Sequence, residues 1–368
     1  MKIRLKRTTP AYHDRRTTRG IMRELLIGLL IIAAYSIYYQ YTVNGALYGL
    51  KAAEIYGVAW AVALVTESIW ALIHKEAFKD IFAKSFPLVT PLIYALTLPV
   101  GTPLYVVGVG AFIATFFGKL VYGGFGQNIF NPALVGRVIV HLSFGSSLTT
   151  TLGSVDATSS ATPATMLAST GWLGGSKFTY TLTQLFLGQH GGTLGETCIW
   201  LIIIVGIILA LRHVYDARIT VAYLGTVAIL AEVTALVTMN QGVDPLTYPL
   251  IHLCLGGLMF GAVFMATDPV TSPSSPLGKI IYGICLGFLT MIIRLKANYP
   301  EGVLFSILIM NMLTPLIESF IMGRTNMNIK KQVMAIAIAL ALCIVTIGGV
   351  ATTLTSQTTV YDVVERRV

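Results

Sequence analysis

Between residues 145 and 196 one run offers legible hydroxyl chemistry: Asp156-Ala157-Thr158-Ser159-Ser160-Ala161-Thr162-Pro163. Small side chains at Ser159, Ser160 and Ala161 leave the backbone accessible, and the proline after Thr162 stiffens the chain beside its hydroxyl. Asp156, six residues before Thr162, is placed to accept a proton or to steady the loop. By residue type alone the run reads as a Ser/Thr-rich surface loop. Carboxylates stand in or beside apolar segments at Glu67, Glu232 and Asp268. A carboxylate in lipid is costly, so Asp268 points to an ion path or a polar anchor, while Glu67 and Glu232 are open to lying near helix ends. Arg137 and His141 are four apart, on one helical face. Arg137 either faces a cavity, stabilising negative charge there, or snorkels to the cytoplasmic surface. In the stretch 123–131, three glycines including Gly124 adjoin Asn128 and Asn131. That pattern lets a flat ligand approach the backbone, or makes a tight helix-to-helix turn.

Other patterns exclude chemistry. Gly108-Val109-Gly110 sits inside an apolar run with no strand before it, which a dinucleotide fingerprint requires. Cys198, Cys254, Cys285 and Cys343 are far apart, unlike the clustered ligands of iron–sulfur centres. The histidines show no metal-ligand spacing.

The elements that must position these residues are membrane helices. Of 368 residues, 55% are hydrophobic and only 11% charged, with mean hydropathy +0.76. Soluble domains carry about 25% charge, so an ordinary cytosolic enzyme and a disordered chain are both excluded, and a polytopic all-α membrane protein remains. Eleven apolar segments, some too short to cross fully, run roughly over 21–40, 47–73, 86–99, 104–122, 128–144, 197–211, 219–238, 248–267, 278–294, 302–321 and 332–350. The net charge of +9 is uneven: Lys2, Arg4, Lys6, Arg7, Arg15, Arg16, Arg19 and Arg23 all precede Glu24. A basic tail directly before the first apolar run is a positive-inside signal rather than a nucleic-acid arm. It places the N-terminus in the cytoplasm, near anionic lipid, and 145–196 outside. Arg294 and Lys296 then land outside, against the rule.

A weak repeat joins the two halves. Leu96-Thr97-Leu98-Pro99-Val100-Gly101-Thr102-Pro103 resembles Ala266-Thr267-Asp268-Pro269-Val270-Thr271-Ser272-Pro273, and Asn128-Ile129-Phe130-Asn131-Pro132 resembles Asn311-Met312-Leu313-Thr314-Pro315. Each half holds five segments, an odd number, so the second is inverted. Proline and threonine break the backbone ladder, and paired breaks in inverted halves point to a central site. The division expected is a basic cytoplasmic tail (1–20), membrane repeat 1 (21–144), an extracytoplasmic loop (145–196), membrane repeat 2 (197–321), and an extra helix and tail (322–368).

Asp156, Ser159, Ser160, Ala161 and Thr162 together resemble the motif onto whose last threonine flavin transferases move FMN from FAD as a phosphoester. With Gly123–Leu134, Gly191-Gly192-Thr193-Leu194-Gly195-Glu196 and the Ala266–Pro273 run, the chain over about 20–325 resembles one family of membrane subunits. That family holds the D subunit of the Rnf ion-translocating ferredoxin:NAD oxidoreductase and the B subunit of the sodium-pumping NADH:quinone reductase. Ser160 stands where the family often has glycine, and 332–350 extends beyond its usual end. The resemblance implies inverted five-helix repeats with broken helices, like those of urea and ammonium channels. It implies an electron-transfer subunit of a complex moving Na+ or H+, in the bacterial inner membrane, with covalent FMN on Thr162. It also implies a second, non-covalent flavin such as riboflavin, and the candidates for a flavin or ion cavity are Gly124, Asn128, Asn131, Arg137 and Asp268. The partners implied are other complex subunits, a flavin transferase and membrane lipid. The alternatives are a quinone-reducing homologue and a small-solute channel without redox chemistry.

Overall fold

Within lipid a backbone satisfies its own polar groups most simply as helix, and that is the local structure these apolar runs adopt. A computed structural model describes residues 17–75, 85–148, 151, 162–169, 171–173, 180–239, 243–297, 302–321 and 329–365. Among them there is no strand, only an isolated antiparallel bridge between Pro99 and Thr193. The helices are α1 (Thr18–Tyr39), α2 (Ala46–His74), α3 (Val89–Leu96), α4 (Leu104–Thr115), α5 (Pro132–Phe144), α6 (Pro163–Ser169), α7 (Leu182–Leu187), α8 (Ile199–Leu211), α9 (Ala217–Val237), α10 (Tyr248–Cys254), α11 (Leu258–Phe260), α12 (Pro276–Ala297), α13 (Gly302–Ile321) and α14 (Ile329–Glu365). Wider π-type turns extend α1 to Asn44, α4 to Leu120 and α11 to Met265.

Among the described residues six helices are long and apolar enough to cross a membrane, and α10 with α11 makes a seventh if that pair, bent by 66°, is one span. The remaining apolar segments are too short to cross, as expected for some of the eleven. The segments at 86–99, 128–144 and 197–211 become helices of 8, 13 and 13 residues. Hydropathy counts apolar residues, but Pro99 and Pro103 lie in the break after α3, and Asn131-Pro132 caps and starts α5. The last helix is longer than expected, reaching from Ile329 to Glu365.

The bundle has two ends. At one, Arg212 donates two bonds to Glu24, at 2.9 and 2.8 Å, and Lys279 reaches Asp216 at 2.9 Å. Tyr39, about 22 Å further along α1 by helical rise, donates to the Gly188 carbonyl at the other end. There Tyr248 donates to the Trp172 carbonyl at 2.7 Å, docking the segment that follows Thr162 onto α10. In each half the second and fourth helices pack together (α2 on α4, α9 on α12), as do the fourth and fifth (α4 on α5, α12 on α13). Across the halves α1 packs on α8, with Gly28 set against Val205, and α5 packs on α13.

Candidate functional site

Two cavities enter the bundle from its two ends. The first lies toward Glu24 and is lined by Met22, Phe86, Lys119, Asn128, Asn131 and Asp268, among mainly apolar neighbours. Its enclosed, narrow part holds about 60 Å³, and the rest of the opening is continuous with solvent. The narrow part admits a few waters or a small ion. The Phe86 and Phe125 rings that line it meet edge to face at 5.0 Å.

Asp268 sits in the break between α11 and α12. Its carboxylate accepts from the Val270 amide at 3.3 Å and the Thr271 hydroxyl at 3.2 Å, and Asn128 is within hydrogen-bonding reach. Asn131 caps α5 through the Ala133 amide and donates across the halves to the Met265 carbonyl at 3.1 Å. With its amide turned to satisfy its neighbours, Asn311 of the second half accepts from the Asn131 amide at 3.0 Å. Asn128, Asn131 and Asp268, drawn from distant parts of the chain, thus share one cavity. Gly124 forms the turn before it, with φ +92°, a backbone that favours glycine, and does not line the cavity.

The same cavity contains a group that the motifs did not single out. Lys119, 2% exposed, donates to Glu67 at 2.7 Å and to the Ser85 carbonyl. Glu67 is therefore no helix-end carboxylate but half of a buried ion pair joining α2 to the end of α4. Glu232 is half-buried on α9. A lone lysine in the 104–122 apolar run was the one signal in the sequence, and its partner 52 residues away was not readable from spacing.

The second cavity lies toward Trp172, lined by Thr97, Arg137, Thr193, Glu196, Gly257 and Phe260 among others. Arg137 is 2% exposed, so it does not snorkel to the cytoplasmic surface: its helix carries it into the interior about 9 Å beyond Asn131. His141 follows one turn later, half-buried. The Gly191–Glu196 motif lies against the break after α3, where Leu194 and Gly195 donate to the Leu98 and Leu96 carbonyls at 2.9 and 2.6 Å. Near it, burial holds the His190 imidazole below its usual pKa.

Thr162 heads α6, half-buried. Its oxygen accepts from the Thr165 amide at 3.2 Å and lies 3.1 Å from the Thr165 hydroxyl. Asp156, Ser159, Ser160 and Ala161 lie outside the described residues. Pro163, Ala164, Leu167 and Ala168 bury the other face of α6, and Trp172 beyond it is 1% exposed, its ring centroid 5.7 Å from that of His252. Arg294 is also fully buried. It donates to the His252 and Leu255 carbonyls, each at 2.9 Å, that the bend between α10 and α11 frees from the helix ladder. Among the described residues no three histidines, cysteines or carboxylates group as a metal site.

Residues 5–327 match the NQR2, RnfD, RnfE family. The chain is similar to the D subunit of the proton-translocating ferredoxin:NAD(+) oxidoreductase complex of Clostridium ljungdahlii, 37% identical over 74% of this chain and 83% of that protein. It is also similar to the D subunit of the Na(+)-translocating ferredoxin:NAD(+) oxidoreductase complex of Acetobacterium woodii, 35% identical over 89% of this chain and 97% of that one. The B subunit of the Na(+)-translocating NADH-quinone reductase of Azotobacter vinelandii is 33% identical over 79% of this chain and 70% of its own length.

Proposed function

Since this chain belongs to the NQR2, RnfD, RnfE family, we propose that it is the membrane electron-transfer subunit of an ion-translocating oxidoreductase complex, inactive alone, and that it carries FMN as a phosphoester on Thr162. The relatives' names, as subunits of ferredoxin:NAD(+) and NADH-quinone complexes, support the complex. The observation that carries the flavin assignment is the order Asp156, Ser159, Ser160, Ala161, Thr162 in the sequence, with Thr162 directly before α6. The Thr162 hydroxyl fits the attachment: it is half-exposed at the head of α6, bonded among the described residues only to Thr165, and bears no charge of its own. Bound there, FMN supplies reversible electron uptake at its ring, which a phosphate tether leaves free. The protein's part is to hold the tether at a fixed place, with the buried face of α6 as its footing.

The cavity at Asp268 has room inside for the coupling ion, and its open side is the candidate place for the ring of a second, non-covalent flavin. Its amides at Asn128 and Asn131 are positioned for polar edges, and its phenylalanines for an aromatic face. Asp268 and Lys119 bring charge to an otherwise apolar wall. Arg137 supplies positive charge at the cavity on the Trp172 side. The basic residues before Glu24 favour placing the Glu24 end in the cytoplasm and the Thr162 segment outside. The matched packing of α1–α5 and α8–α13 supports reading the halves as inverted repeats, with α14 added. Ferredoxin:NAD+ chemistry is preferred to quinone reduction because the quinone-reductase relative is matched over less of its own length. The solute-channel reading finds less support: among the described residues no side chain lines both cavities.

The test is Thr162→Ala, made beside a flavin transferase. The wild-type protein is expected to fluoresce as a denatured band at its own mass, with one FMN less water on the tryptic peptide holding Thr162. The variant is expected to lose the band completely, and Thr162→Ser to retain part of it. Flavin on Thr158 or Thr165, or a wild-type band that never appears, would overturn the assignment.

A further inference from the structure

The two halves differ in one respect that assigns a surface. In the second half, α14 lies in the groove between α9 and α12. It is seated by a stripe of buried residues one helical turn apart, Cys343, Ile347, Ala351 and Leu354, and tied at its far part by Lys296 donating to Thr353 at 2.8 Å. The matching pair in the first half is α2 and α4. Among the described residues its groove is open, about 430 Å³, and lined almost wholly by apolar side chains. On α2 the floor is Ala61, Val65, Ile69 and Ile73, each four residues from the last, which makes one straight ridge of the kind that receives a helix. Phe112 and Phe116 of α4, stacked at 5.3 Å, form the opposite wall. Val65 is 58% and Ile69 52% exposed. The bare groove is also the looser of the two crossings. On α12, Gly283 and Gly287 press against the α9 backbone, a Cβ at either meeting α9 atoms at 2.7 Å, whereas on α4 Gly108 meets only side chains of α2, the nearer being Val62 at 3.6 Å.

We propose that the α2–α4 groove receives a transmembrane helix from another subunit of the complex, in the way the α9–α12 groove receives α14. The chain itself displays what such a groove takes, a single apolar helix seated by a stripe of small and aliphatic residues. Its own spare helix is already committed to the other side. The occupant is taken as a partner's helix rather than a second copy of this chain because the relatives are named as the D subunits of complexes, which implies other, different subunits beside them. The inference rests on matching the two halves and is independent of the flavin on Thr162.

The test uses the complex in its native membrane. A photo-crosslinking amino acid replaces Val65 or Ile69, and after irradiation the purified adduct is mapped by mass spectrometry. The expected adduct lies within a membrane-spanning segment of a different subunit of the same complex. In parallel, the double substitution Val65→Trp with Ile69→Trp fills the groove. It is expected to lower recovery of that subunit with the complex severalfold while the fluorescent flavin band stays at the wild-type level. Adducts only to lipid or to a second copy of this chain, or full recovery of every subunit with both tryptophans in place, would overturn the proposal. Loss of the flavin band in the wild-type chain would count against the Thr162 assignment alone.

Discussion

Lys119 and Glu67 show how a single residue's meaning depends on its partner. Each charge alone in lipid would be prohibitive, and together, at 2.7 Å, they tie α2 to the end of α4 beside Asp268. Lys119→Met leaves Glu67 buried without its cation, and a cost of about 3–5 kcal/mol is expected. Thermal unfolding in detergent should show this as a large drop in Tm, and Lys119→Met with Glu67→Gln should recover most of it. If the double variant is no more stable than the single one, the pair is not what holds these helices. Asp268 differs: its oxygens are occupied by the turn it sits in and by nearby Asn128, but it remains half-exposed to the cavity. Asp268→Asn is expected to keep covalent flavin on Thr162 and to lower ion-coupled turnover of the assembled complex. Coupling at the wild-type level would remove Asp268 from the ion path.

At the scale of elements, the breaks matter more than the spans. A helix that stops inside the bilayer leaves carbonyls to satisfy. The α10–α11 bend does so with Arg294, and the break after α3 does so by pairing with the Gly191–Glu196 strip. Helix entry is handled at the Glu24 end by Asp216, which caps α9 through the Arg218 amide and accepts from Lys279 of α12. Burial pushes the Asp216 carboxyl up, but the bonds from Lys279 and the Arg218 amide outweigh it and hold the pKa below its usual value. A depressed folded-state value means the contribution is complete above the unfolded value of about 3.9 and is lost as pH falls through the folded one. Asp216 is partly exposed, so Asp216→Asn should cost no more than about 1 kcal/mol at neutral pH. As pH falls from about 4 down through the lower folded value, where the wild-type carboxyl itself protonates, the gap should close. Parallel Tm curves for the two proteins from neutral to acid pH would show that the contact contributes nothing.

For the whole molecule, the two ends define a direction across the membrane. Glu24, Arg212, Asp216 and Lys279 mark one, and Trp172, Tyr248 and the Lys296–Thr353 tie the other. If the basic N-terminal tail is cytoplasmic, Ser169, exposed at the end of α6, faces outward. Ser169→Cys should then react with an impermeant thiol reagent added to intact cells. Labelling only after the membrane is opened would reverse the orientation.

The sequence by itself determined that this chain lives in a bilayer, because half the usual charge across 368 residues leaves no soluble alternative. It also determined where backbones break, since proline and glycine act locally: the runs 96–103 and 266–273 both fall between helices. The family likewise followed from motifs that are contiguous in the chain. Tertiary structure alone decided what those breaks enclose. Asn128, Asn131 and Asp268 share a cavity because two halves fold against each other, and no local pattern measures a separation of 137 residues between Asn131 and Asp268. The same holds for Arg137: charge and hydropathy allowed snorkelling, and only the packing of α5 between α4 and α13 turned it inward. Hydropathy could not say which of the eleven apolar segments become long spans and which short broken helices. Transfer free energy counts apolar residues, whereas a crossing needs a continuous hydrogen-bonded length of about 30 Å.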